Sequence, residues 1–270
     1  MSASSRDFSS CPPALKYFSI VVAVLMLAPV AIVVLYSFSA TSYFSLPPTK
    51  FSLQWFENFF SNDGFREAFK NSLLISFIVA PITLIIAVPA SYALTRGTFA
   101  GRQAITALLM SPIIVPGVVS GVALLALSYK AGIGPGFGAL VVGMICVSLP
   151  YALRALLANM HGLRHELEES ARNLGATNWQ VFRLIVIPQL RPGLLAGGIF
   201  IFVETIDNFT IASFLVTPTT TTLPVEAYYY IRDFDDPTVA AMSCVLFLLS
   251  TILVFALDRA IGLEKAFTTA

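Results

Sequence analysis

The chain alternates long apolar runs with short polar segments. A helix needs about 20 apolar residues to cross the hydrocarbon core of a bilayer. Six stretches meet or approach that length: residues 17–38, 71–94, 103–129, 138–156, 193–216 and 239–257. The first is too long for a typical signal-peptide core and has no clear small-residue cleavage site behind it, so it is expected to be retained. Pro29, Pro81, Pro89, Pro112, Pro116 and Pro150 lie within the runs. Each removes a backbone donor and clashes with the preceding turn, so kinks are expected. Around Ser111-Pro112 and Pro116-Gly117 two readings stay open: ordinary helix packing, or a helix broken beside a translocation path.

Two polar insertions have patterns of their own. In residues 39–70, which include Pro47-Pro48, the aromatic residues Trp55, Phe56, Phe59 and Phe60 share one helical face, as in a short interfacial helix or an aromatic anchor. In residues 157–192, Leu163, Leu167, Ala171 and Leu174 recur at helical spacing, with Arg164, His165, Glu168, Glu169 and Arg172 opposite. Gly175 is a natural helix stop, because glycine enters the left-handed region cheaply. Thr177 or Asn178 can cap a second helix carrying Trp179, Phe182, Ile185 and Val186, which Pro188 and Pro192 end. The segment reads as a rigid bracket: helix, sharp turn, helix, proline exit.

Composition fixes the class. Hydrophobic residues make up 57% of the 270, and charged residues only 11%, against roughly 25% in a soluble domain. The chain reads as an all-α polytopic membrane protein, and a nucleic-acid-binding face or a disulfide framework is excluded. Cys11, Cys146 and Cys244 are odd in number and far apart. The net charge of +1 is uninformative, but the placement of charge is not. With six spans, eleven Lys and Arg fall on the side of the termini and five on the other, so both termini are expected in the cytoplasm. The expected organisation is a cytoplasmic tail at 1–16, a membrane domain at 17–260 with a cytoplasmic loop at 157–192, and a second tail at 261–270.

The bracket also carries a motif. Glu169-Ser170-Ala171-Arg172-Asn173-Leu174-Gly175, nine further residues, then Ile185-Val186-Ile187-Pro188 resembles the EAA loop of bacterial type I ABC importer permeases, E-A-A-x3-G-x9-I-x-L-P. It departs at Ser170, where alanine is usual, and at Ile187, where leucine is usual. The resemblance implies that the first helix docks into a groove of a cytoplasmic ATPase, with Glu168, Glu169, Ala171, Leu174, Gly175, Ile185 and Pro188 as coupling residues. It also implies two ATPase subunits that bind ATP and Mg, a second, non-identical permease subunit, and an extracytoplasmic solute-binding protein. The chain itself has no G-x-x-x-x-G-K-[ST] loop, and it is expected to bind no cofactor and to be no enzyme. His161 and His165 are four apart, but no H-E-x-x-H accompanies them, so no metal site is expected.

Acids inside a span are the remaining clue. A carboxylate at bilayer depth costs about 2.5–3.5 kcal/mol, so it should face a cavity, a partner or a solute. Glu204 and Asp207 are three apart and share a helix face, with Asn208 beside them. They can seat an organic cation, or they can bind neighbouring helices; both remain open. The segment 207–215, followed by Thr217-Pro218 and Leu223-Pro224, resembles the spermidine/putrescine branch of these permeases, in which an acidic or amide pair, often two aspartates, sits where Asp207-Asn208 stands here; this implies a polyamine solute, and Glu204, Asp207 and Asn208 are the candidate pathway residues. The outer segment 217–237, with Glu226, Asp233, Asp235, Asp236 and Tyr228 to Tyr230, is expected to face the binding protein, or to be a polar loop with interfacial tyrosines. The alternatives are a permease for an anion, ferric iron or a neutral solute, and an ion-coupled secondary transporter.

Overall fold

The computed structural model describes residues 13–43 and 50–261. Arg6, Cys11, Pro47, Pro48, Lys265 and most of both expected tails lie outside them. The regular elements among the described residues are helical, and the chain divides into two compact units.

The first unit comprises residues 1–61 and 231–248. Its α1 (Pro13–Ser37) continues through Pro29. A single antiparallel bridge, Ser39 to Phe51, returns the chain to α2 (Gln54–Ser61). The expected aromatic helix is therefore present, and its residues are sorted. Trp55 Nε1 donates to the Ser39 carbonyl at 2.6 Å, and Phe56 packs on Phe38. Phe59 is buried, whereas Phe60 is exposed. The start of α13 (Thr238–Ile261) joins this unit through Asn58 Nδ2, which donates to Thr238 Oγ1, and through a contact between Ser37 Oγ and Cys244 Sγ.

The second unit, residues 62–230 and 249–270, is built on α3 (Asp63–Arg96), α6 (Phe137–His161) and α10 (Arg191–Asp207). These three helices pack on one another. Ile75, Val79 and Ala87 of α3, Leu140, Met144 and Leu153 of α6, and Ile201 of α10 are fully buried. Small residues such as Ala87, Ala152 and Gly197 permit close approach, which drives association where lipid is as apolar as leucine. Much of the remaining surface is apolar: Phe77, Ile85, Leu108 and Ile114 are all exposed. Water would not tolerate this, but a bilayer or a membrane partner does.

Two apolar stretches are not single rods. Residues 103–129 form α4 (Arg102–Ile114) and α5 (Gly117–Lys130), bent by 107°. Pro116 forces the residue before it out of helical geometry, and Val115 is extended at φ −76°, ψ 129°. Residues 193–216 form α10 and α11 (Phe209–Leu215), interrupted at Asn208, φ −74°, ψ 94°. Pro81, Pro89 and Pro150, by contrast, sit inside unbroken helices. Among the described residues α1, α3 and α6 are each long and apolar enough to cross a membrane, two bent pairs qualify as pairs, and Thr238–Leu253 is a shorter apolar helix. The segment 217–237 is not simply a loop: it holds α12 (Leu223–Asp233).

Candidate functional site

Two places gather the polar residues singled out in the sequence. The first is the bracket. The preceding helix α6 runs on to His161, so the bracket begins five residues later than expected. It contains α7 (His165–Asn173), α8 (Asn178–Val181), a wider π-helical turn over Phe182–Val186, and α9 (Ile187–Gln189). Gly175 separates the helices at φ +90°, with nothing within 4 Å of a Cβ there. Only the backbone conformation therefore demands glycine. Thr177 caps α8 reciprocally with Gln180. The chain then turns by 68° between 178–189 and α10.

The bracket's inner face is not the one the spacing indicated. Glu168, expected on the open polar side, is 1% exposed. Its Oε1 accepts from Arg96 Nε at 2.9 Å, and the same guanidinium's Nη2 lies 2.9 Å away. Its Oε2 accepts from Tyr92 Oη at 3.3 Å and lies 3.5 Å from Arg172 Nη2. Arg172 Nη2 also donates to Tyr92 Oη, closing a network between α7 and the end of α3. Two guanidinium groups make burial of this carboxylate affordable. The leucine stripe is instead open: Leu167 is 46% and Leu174 89% exposed, together with Trp179 and Leu184. Glu169 is exposed and pairs with His165 at 3.1 Å. Ala171, Ile185 and Pro188 are partly buried. The side chain of His161 lies outside the described residues, so the histidine pair is not placed. Tyr92 and Arg96 were missed as partners because nothing in their local pattern marks a contact seventy residues away.

The second place is the break between α10 and α11. The two acids flank it, and they differ. Glu204 Oε2 accepts from Ser148 Oγ of α6 at 2.7 Å, and its Oε1 accepts from Asn208 Nδ2 at 2.7 Å. Asn208 Oδ1 in turn accepts from Ile211 N at 2.9 Å and caps α11. Glu204 is thus fastened across the break by neutral donors alone. Asp207 is exposed and has no hydrogen bond or ion pair among the described residues. Both acids and Asn208 line an open depression of about 450 Å³, together with Phe200, Val203, Phe209 and Thr210. The last turn of α10 and the first turn of α11 meet here, so their opposite helix-end charges offset each other. The two carboxylates, with no cation among the described residues beside them, make the depression electronegative. Anionic solutes are disfavoured there and cations favoured. Ser148, which sequence reasoning missed, is one serine among many in an apolar run.

The family model described as the inner membrane component of binding-protein-dependent transport systems matches residues 84–262. The spermidine/putrescine transport system permease protein PotC of Haemophilus influenzae is 30% identical over 88% of this chain and 92% of its own. The putrescine transport system permease protein PotI of Escherichia coli is 27% identical, over 81% and 80%. In fold, the chain is similar to one in the crystal structure of a bacterial ABC transporter involved in the import of the acidic polysaccharide alginate. The TM-score there is 0.69 at 17% identity, covering 93% of this chain and 98% of the other.

Proposed function

Because this chain belongs to the family of inner membrane components of binding-protein-dependent transport systems, and so is a multi-pass permease subunit of an ABC importer rather than an enzyme, we propose that its solute is a polyamine or a related organic cation. The observation that carries the choice of solute is the α10–α11 break, where Asp207 stands open beside Glu204 with no neighbouring cation among the described residues. The likeness to spermidine and putrescine permeases supports the same choice.

The chain supplies half of the pathway. A second, non-identical permease supplies the other half, an extracytoplasmic binding protein delivers solute, and two ATPase subunits hold ATP and Mg. In this reading the membrane is crossed six times with both termini in the cytoplasm, an arrangement that the eleven-to-five distribution of Lys and Arg supports. The open face of the bracket, Leu167, Leu174, Trp179 and Leu184, is the surface offered to the ATPase. Glu169 is exposed on the far side of α7 from these leucines, whereas Glu168 holds the helix to α3. Closure of the ATPases moves the bracket, and Gly175 keeps its two helices at a set angle. The motion passes to α10 through the turn at Pro188 and Pro192, and to α3 through Glu168. The depression is thereby exposed alternately to each side.

The test is uptake by the four-component importer in proteoliposomes, with labelled spermidine, putrescine, molybdate and a neutral sugar. ATP-dependent uptake of the amines alone is expected. Uptake of the anion or sugar in their place would overturn the assignment of solute. Uptake by this chain without ATPases would overturn the importer mechanism. Orientation is tested with single cysteines in a background lacking the native ones. Near Thr220 one should react with an impermeant thiol reagent in intact cells, and near Gly97 it should not.

A further inference from the structure

The electronegative break has an aromatic neighbour. Phe209, the first residue of α11, lines the same depression as Asp207. Its ring packs on Tyr228 of α12, with centroids 5.2 Å apart and planes at 48°, and Tyr228 packs on Tyr229 at 6.0 Å and 59°. These rings are 37%, 50% and 45% exposed. The next tyrosine in the helix behaves differently. Tyr230 packs on Phe65 of α3 with centroids 5.0 Å apart, and both are buried. So α12 uses Tyr230 for packing and leaves Tyr228 and Tyr229 open on the side of Phe209.

An open carboxylate attracts any cation, including potassium and magnesium ions, and does not discriminate. Aromatic faces do. They attract ammonium groups within about 6 Å of the ring centre, and they cover the methylenes of an organic amine as its water is lost. A small metal ion gains far less from a ring than it loses in hydration. We propose that Phe209, Tyr228 and Tyr229 form a wall that recognises alkylammonium solutes and passes them to Asp207. This rests on reading the α10–α11 break as the solute path. Phe209 borders the depression itself, and Tyr228 and Tyr229 extend it through ring contacts; an interfacial anchor alone would not require a ring beside the acids.

The experiment uses the complete importer in proteoliposomes with saturating, spermidine-loaded binding protein, so that capture is not limiting. Phe209→Leu and Tyr228→Leu keep apolar bulk and remove the aromatic face. Each should lower spermidine uptake about three- to tenfold, with assembly and basal ATP hydrolysis near wild type. Tyr228→Phe should transport as wild type. Replacing Phe209 by mono-, di- and trifluorinated phenylalanine should lower uptake stepwise, because fluorine drains the ring face while scarcely changing its shape; a purely structural role would not follow that series. Wild-type uptake by both leucine variants, or an unresponsive fluorine series, overturns the wall while leaving the solute path standing. Failure of the unaltered importer to take up any organic cation overturns the path and the wall together.

Discussion

The bracket and the α10–α11 break each present a pair of nearby acids, Glu168 with Glu169 and Glu204 with Asp207, and each pair is split into a fastened and an open member. Glu168 is fastened and Glu169 open; Glu204 is fastened and Asp207 open. The difference lies in what does the fastening. Glu168 meets two guanidinium groups, so its charge is cancelled where it is buried. Glu204 meets a hydroxyl and an amide, which orient it without cancelling its charge. A cancelled charge is a joint. An oriented charge beside an open one is an attractive site for a cation from outside. The two regions therefore share a residue type and diverge in use because arginine is present in one and absent from the other.

The largest expected effect comes from undoing the joint. Glu168→Leu strands Arg96 and Arg172 and should cost the bracket about 3 kcal/mol, the lower range for breaking a buried pair. Loss of ATPase co-purification and faster limited proteolysis of residues 162–190 are the readouts. If both stay at wild type, the joint carries no weight. Next is the turn. Gly175→Pro cannot reach φ +90°, because proline holds φ near −65°. ATP hydrolysis should continue while uptake stops. Gly175→Ala, which meets no atom, should cost only about 1–2 kcal/mol for the left-handed conformation. Equal behaviour of the two variants would count against the turn's role.

The break should respond differently from the joint. Asp207→Asn removes the open charge, and a charge-assisted hydrogen bond is worth roughly 1.5–3 kcal/mol. Uptake of a polyamine at saturating binding protein should fall about tenfold or more with assembly intact. Glu204→Gln keeps a group that both Ser148 and Asn208 can bond, so its loss should be smaller than that of Asp207→Asn. The reverse order would make Glu204 the solute contact and Asp207 the brace.

The smallest effect sharpens the same contrast. Glu226 of α12 packs over Gly64, and burial pushes its carboxyl above the ordinary value. A raised folded-state value means stability that is fully present below the unfolded value, about 4.3, and lost as pH rises through the folded one. Glu226→Gln should therefore melt slightly higher than wild type near neutral pH and converge with it below about pH 4. A gap that persists in acid would mean that packing, not charge, sets the difference.

Much of this was legible in the residues. The apolar runs announced a helical membrane protein. Gly175, the Thr177 cap and the proline exit were readable because caps, stops and left-handed turns depend on residues within one turn of each other. The aromatic face of α2 was readable for the same reason. The inner face of α7 was not. Helical spacing separates leucines from charges, but it does not say which side turns inward. Here the leucines face out, and Glu168 turns in because Arg96 waits for it.

By itself the sequence determined the class, the apolar stretches, the bracket and the family, since these rest on composition, periodicity and local motif. Only the tertiary structure decided which acid of each pair is fastened. It also decided that residues 193–216 break at Asn208 and that Phe209, which borders the depression with Asp207, meets Tyr228. Those outcomes depend on contacts between residues far apart in the chain: Ser148 with Glu204, Arg96 with Glu168, Phe209 with Tyr228. Local propensity carries no record of them. They arise when packing desolvates a charge or a ring and the nearest available group must answer it.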